Sequence, residues 1–317
     1  MTIMLEQQLH IDLHLPTGWN RCTTEELEII AAAIVREQAS VGRYRPFLWE
    51  RIKVHIVLGI NDITILQNNT PEDDGKWLVK RTEDKEPWQL STGQIANLCE
   101  HLNWLTDENA SPLFVFPYPI LRLEVRGERF LDKQSGKAER EVSGPPPLLD
   151  GYTWREYRWL SDWMQAYMRH ANAMAQSKME DARRKNQEGA ENARNEFLAI
   201  LFKPAGEKMF NVQCSMFNGF SPVKWQVILF WWSSLMRQLA KKFPRVFKNQ
   251  PVKKGRRTQS PDTPWDFYNH VTATIQKYIG GLSASDVDDQ PYGVVLQQLE
   301  MMADEAAELE RAKSKHH

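Results

Sequence analysis

The chain is poor in the features that usually declare a chemistry. It has three cysteines in 317 residues, Cys22, Cys99 and Cys214, far apart and with no C-x-x-C spacing. An odd number of scattered cysteines excludes a disulfide scaffold and fits reduced thiols in a cytoplasm-like compartment. The most apolar run, Val227 to Trp232, is six residues long, whereas a membrane-spanning helix needs roughly twenty. The first residues, Met1 to Gln7, carry neither a basic nor an apolar signal region, so no signal peptide is expected. Net charge is -1, too small for a global field that would draw the chain to DNA or an anionic membrane. No phosphate-binding loop, dinucleotide fingerprint, zinc-protease helix or nucleophile elbow occurs, and no repeat is visible. These absences lead to the expectation of a non-enzymatic protein with no catalytic residues, cofactor or metal.

Apolar content is 42% and charged content 26%, the proportions of a folded globular chain. Twelve tryptophans supply large apolar surfaces of the kind that fill both cores and interfaces. The organising stretch is Leu148 to Pro204, which follows Gly144-Pro145-Pro146-Pro147. Thr153 and Glu156 stand at capping-box spacing. Trp154, Tyr157, Trp159, Leu160, Trp163, Met164, Tyr167 and Met168 then load the first half with apolar groups. Gln176 to Asn195 is polar on every side, as expected of an exposed helix or a loop between two helices. Phe197 to Phe202 return to the core. The stretch therefore reads as a central helix or helix pair.

Before it, Leu9 to Leu15 alternate as a half-buried strand. Its other face carries His10, Asp12 and His14, which read as a solvated polar face and not as metal ligands. Thr23 and Glu26 begin a helix carrying Leu27, Ile30, Ala31, Ile34 and Val35. A second helix follows Pro46. Ile63–Leu66 and Lys76–Lys80 predict a hairpin. Ser91 and Gln94 cap a helix that carries Leu98, Leu102 and Leu105. Ile120–Val125 predicts a second hairpin, with either Arg129–Leu131 or Ala138–Val142.

After it, Ser221-Pro222 opens a helix apolar on most sides, closed by Phe243-Pro244. Residues 249–264 form a basic, proline-containing linker. Its Lys253, Lys254, Arg256 and Arg257 are the one nucleic-acid signal, and without interleaved aromatics a solvated loop is the simpler reading. Trp265, Tyr268, Val271 and Ile275 lie on a helix stopped by Gly280-Gly281, and Leu299 lies on the final helix. The acids Asp286, Asp288 and Asp289 between these helices read as capping and solvating groups.

The fold class expected is mainly α: a multi-helix core with a long central helix or helix pair, and small β-hairpin additions in the N-terminal half. The regions expected are an N-terminal α+β part over 1–147, a helical core over 148–248, the linker over 249–264 and a C-terminal helical module over 265–317. Trp265, Tyr268, Val271, Ile275 and Leu299 are the candidate partner-binding residues.

Several short stretches carry a resemblance. Leu15-Pro16-Thr17-Gly18-Trp19-Asn20 with Thr23–Leu27, and Leu149-Asp150-Gly151-Tyr152-Thr153-Trp154-Arg155-Glu156-Tyr157 with Asp162, are two of them. Leu201-Phe202-Lys203-Pro204 and Phe243-Pro244-Arg245-Val246-Phe247 are two more. Together they resemble uncharacterised proteins encoded in tail-gene regions of bacteriophages and prophages. The stretch from Trp265 through Gly280-Gly281 to Pro291 and Leu296 is similar to the C-terminal helices of phage tail assembly chaperones. The resemblance implies a cytoplasmic or virion-associated morphogenesis protein. Its implied partners are other phage proteins, tail components among them, and further copies of itself. A nucleic-acid-binding protein of a phage or mobile element, acting through Lys253, Lys254, Arg256 and Arg257, is the alternative.

Overall fold

The computed structural model describes residues 2–4, 10–40, 48–67, 76–107, 110–125, 138–204, 214–247, 275–276 and 283–315. The chain is mainly α, as the hydrophobic spacing predicts, and among the described residues it has three small antiparallel sheets. It divides into two compact units that interleave along the sequence. One comprises Met1–Pro117 with Phe220–Leu235, the other Tyr118–Gly219 with Met236–His317.

In the first unit, β1 (Thr2–Met4) pairs with β2 (His10–Asp12), and α1 (Thr24–Ser40) follows. The expected capping box forms at α1. The Thr23 amide donates to Glu26 Oε2 at 2.7 Å, and the Glu26 amide donates to Thr23 Oγ1 at 3.2 Å. Leu27, Ile30, Ala31 and Ile34 are buried, and so are Ile52 and Ile56 of α2 (Trp49–Ile60). Gly59 lets α1 and α2 approach closely, because a Cβ there would stand 2.8 Å from an Ile29 methyl. Buried Glu37 on α1 is held by Arg51 on α2, whose Nε lies 3.1 Å from its carboxylate.

The first predicted hairpin is β3 (Ile63–Gln67) on β4 (Lys76–Arg81), with Ile65 opposite Val79. A third strand, β5 (Trp88–Ser91), adds to β4 and was not expected. It is four residues long, too short for alternation to stand out, yet it buries Trp88 and Leu90 and exposes Gln89. Its last residue, Ser91, caps α3 (Thr92–Glu100) in the expected box with Gln94. That helix is shorter than its apolar pattern suggests. Leu102 and Leu105 fall in the turns beyond it and are still buried.

Trp225, Val227, Ile228, Trp231 and Trp232 of α6 (Pro222–Lys242) are buried. Phe116 meets Trp231 edge-on at 4.8 Å, and Trp19 sits between Phe230 and Trp104 at 4.8 and 5.0 Å. The Leu113 amide donates to buried Ser234 Oγ at 3.1 Å. Aromatic contacts of this kind contribute about 0.5–1.5 kcal/mol each beyond their burial.

The second unit holds a sheet of β6 (Ile120–Val125), β7 (Ala138–Ser143) and β8 (Lys203–Pro204). Leu121 and Leu123 of β6 and Val142 of β7 are buried. Of the two expected partners for β6, the structure takes 138–143. The other, Arg129–Leu131, lies outside the described residues. The turn before the central stretch is held at positive φ by Leu148, Leu149 and Gly151. For a leucine this conformation costs about 1–2 kcal/mol. The complete burial of Leu149 accompanies it.

The central stretch is a pair: α4 (Trp154–Gln176) and α5 (Glu180–Leu201), joined through Ser177-Lys178-Met179. The Thr153–Glu156 capping box forms with both hydrogen bonds. Trp154, Tyr157, Leu160 and Met164 are buried, whereas Trp163 is only half-buried. The polar segment over 176–195 is helix for most of its length and is not wholly exposed. Ala190, Ala193 and Asn195 are buried.

The reason is that α5 packs on α4 through small residues, which no count of large apolar groups detects. A Cβ on Gly189 would stand 2.6 Å from the His170 ring. That ring is oriented by Asn186, whose Oδ1 lies 3.1 Å from His170 Nδ1 while its Nδ2 donates to the Ala182 carbonyl at 2.9 Å. The base of the pair enters the core through Phe197, Leu198, Leu201 and Phe202, and the Tyr152 hydroxyl donates to the Leu201 carbonyl at 2.6 Å.

Candidate functional site

The C-terminal helices are where sequence reasoning placed partner binding. They are α7 (Ala284–Asp288) and α8 (Tyr292–Lys315). Ser283 caps α7 with Asp286 in a fourth capping box, and its hydrogen bonds hold the Asp286 carboxyl below its usual range. Asp288 and Asp289 are not merely solvating, as expected, but form ion pairs with α4. Asp288 Oδ1 lies 2.7 Å from Arg158 Nη1 and Asp289 Oδ1 lies 3.1 Å from Arg155 Nη2. Arg158 is itself buried. A guanidinium in that position needs a carboxylate, because removing one partner of a buried pair costs about 3–5 kcal/mol.

Backbone and ring contacts extend the same seam. The Trp154 amide, one of the orphan donors at the start of α4, donates to the Gln290 carbonyl at 2.7 Å. The Tyr292 amide returns a bond to the Tyr152 carbonyl at 3.0 Å. The Tyr292 ring stacks on Tyr157 with centroids 4.9 Å apart, and its hydroxyl donates to the Leu148 carbonyl. Val287, Val295 and Leu296 are fully buried. One turn further along α8, Glu300 accepts from the amides of Arg245 and Val246 at 3.1 and 3.0 Å, and Asp304 pairs with the Arg245 guanidinium. The first half of α8 is thus part of the second unit.

Its outer side is different. Val294, Met301 and Leu309 are 41%, 55% and 63% exposed. At 100° per residue Val294 and Met301 point away from Tyr292, Val295 and Leu296, whereas Leu309 stands within about 40° of the Val295 direction, further along the helix. Among the candidate partner-binding residues, Ile275 is buried and Leu299 is half-buried. Trp265, Tyr268 and Val271 lie outside the described residues, as do Lys253, Lys254, Arg256 and Arg257.

Four other positions bear on chemistry: His14, Cys22, Cys99 and Asp162. His14 Nε2 lies 2.8 Å from Glu26 Oε1. The His14 backbone is clamped by Asn61, which accepts from its amide at 2.8 Å and donates to its carbonyl at 3.0 Å. These contacts pin the segment after β2 to the ends of α1 and α2. Among the described residues no group of three or more His, Cys, Asp or Glu side chains could hold a metal ion. The Cys22 thiol donates to the Gly18 carbonyl at 3.4 Å and is pushed up to about 12 by burial, with Glu26 adding to the effect. Burial also raises Cys99. Neither offers the thiolate that nucleophilic chemistry needs at neutral pH.

Asp162 on α4 was named in the sequence only as part of the family resemblance. Its carboxyl is pushed up to about 6 by burial, against the pull of Arg158 and Arg169. Both carboxylate oxygens are enclosed with no hydrogen-bond donor, and so is the neighbouring Ser161 hydroxyl. A perturbed carboxyl is the usual mark of an acid–base group. Here, however, the oxygens are covered, so a reacting atom cannot come within the hydrogen-bond distance that proton transfer requires. The signal in the sequence was a lone acid flanked by Leu160 and Trp163.

Among the described residues no helix is long and apolar enough to cross a membrane. Comparison with protein-family models, with curated proteins and with solved structures finds no match to this chain.

Proposed function

We propose that this chain is a non-enzymatic phage morphogenesis protein, a tail assembly chaperone or tail-associated structural protein that acts by binding other phage proteins. The observation supporting an interaction role is the outer side of α8, where Val294 and Met301 stand exposed opposite the packed side, with Leu309 exposed further along the helix. An assembly factor needs such an element: an apolar helical surface displayed from a folded body, able to cover an unassembled protein and later release it. The phage context rests on the short sequence resemblances alone.

Removing the whole C-terminal region would be a poor test, because Tyr292 of α8 stacks on Tyr157 and Asp288 of α7 pairs with Arg158. Point substitutions at exposed apolar positions of α8 are better. The chain and its Met301→Glu/Leu309→Lys variant are each co-expressed with phage tail proteins and captured by affinity pull-down. The expected result is capture by the parent and none by the variant, with thermal stability of the two within about 1 kcal/mol, as for surface sites. Equal capture by both would remove α8 from the interaction, and capture of no tail protein by either would overturn the reading.

A further inference from the structure

We draw no further inference here: the strongest candidate, the exposed apolar side of α8 carrying Val294 and Met301, is an unpartnered helix face, and nothing in the structure shows what covers it.

Discussion

Replacing Asp162 by asparagine should make the protein more stable at neutral pH, although it removes a charge that two arginines attract. The carboxyl rises from 3.8 in an unstrained setting to about 6 in the fold, with burial as the largest cause. Between those two values the folded state binds a proton that the unfolded state has released. Stability contributed by this group is therefore fully present below about pH 4 and is lost as pH rises through about 6. A gap of roughly two pH units corresponds to about 3 kcal/mol at ~1.4 kcal/mol per unit. Asp162 is half-buried, so solvent screening reduces this to about 1–2 kcal/mol. Asparagine keeps the shape and cannot ionise.

Urea denaturation of parent and Asp162→Asn at pH 7.5 should show the variant ahead by that amount, and the two should converge near pH 4. The acids held by ion pairs, Asp288 among them, are common to both proteins and cancel in the difference. A variant that is less stable at pH 7.5, or a difference that does not change between pH 4 and 7.5, would refute the assignment of burial as the dominant influence on this group.

Three further outcomes are expected. Gly189→Ala should destabilise by about 1–2 kcal/mol despite the ~1 kcal/mol gain in helix propensity, because the added Cβ meets the His170 ring; thermal melts of the single variant and of the His170→Ala double variant should show the loss recovered in the latter. Ala193→Glu, at a buried site, should cost several times more in denaturant titrations than Arg183→Ala at an exposed one, for which about 0.5 kcal/mol or less is expected. Arg158→Ala should cost about 3–5 kcal/mol, measured by the same titrations, because it leaves Asp288 without its closest cation; limited proteolysis should then cut in α7 and α8 before the rest of the second unit.

What could be read in the sequence was local. The boxes at Thr23, Ser91 and Thr153 each place donor and acceptor three residues apart, and each marks a helix start to within a residue. The strands β3 and β4 were visible as two short runs flanking the polar stretch from Asn68 to Gly75, and β6 because Leu121, Leu123 and Val125 alternate with charged residues, its partner being open between two stretches. Strand β5 was not, since its order depends on a neighbour rather than on its own pattern. Trp163 shows the same limit: its size says that it will bury surface somewhere, but the turn of α4 leaves it at the margin, while Ser161 and Arg158 go inside. The packing of α5 on α4 was hidden because glycine and alanine make a close helix contact without an apolar signature. The Arg158–Asp288 pair joins residues 130 positions apart, a distance over which no spacing rule operates.

That separation has a consequence for the chain as it leaves the ribosome. The start of α4 is synthesised with Arg158 unpaired by Asp288, the Trp154 amide lacking its Gln290 acceptor and Tyr157 without the stacked Tyr292 ring. At about 5–20 residues per second, the 130 residues to Asp288 take roughly 7–26 s to appear. Throughout that interval the nascent second unit carries an open aromatic and cationic seam along α4, the stage at which a holding chaperone would find its surface. Synthesis of the stretch from Asp288 to Tyr292 supplies the groups that close the seam.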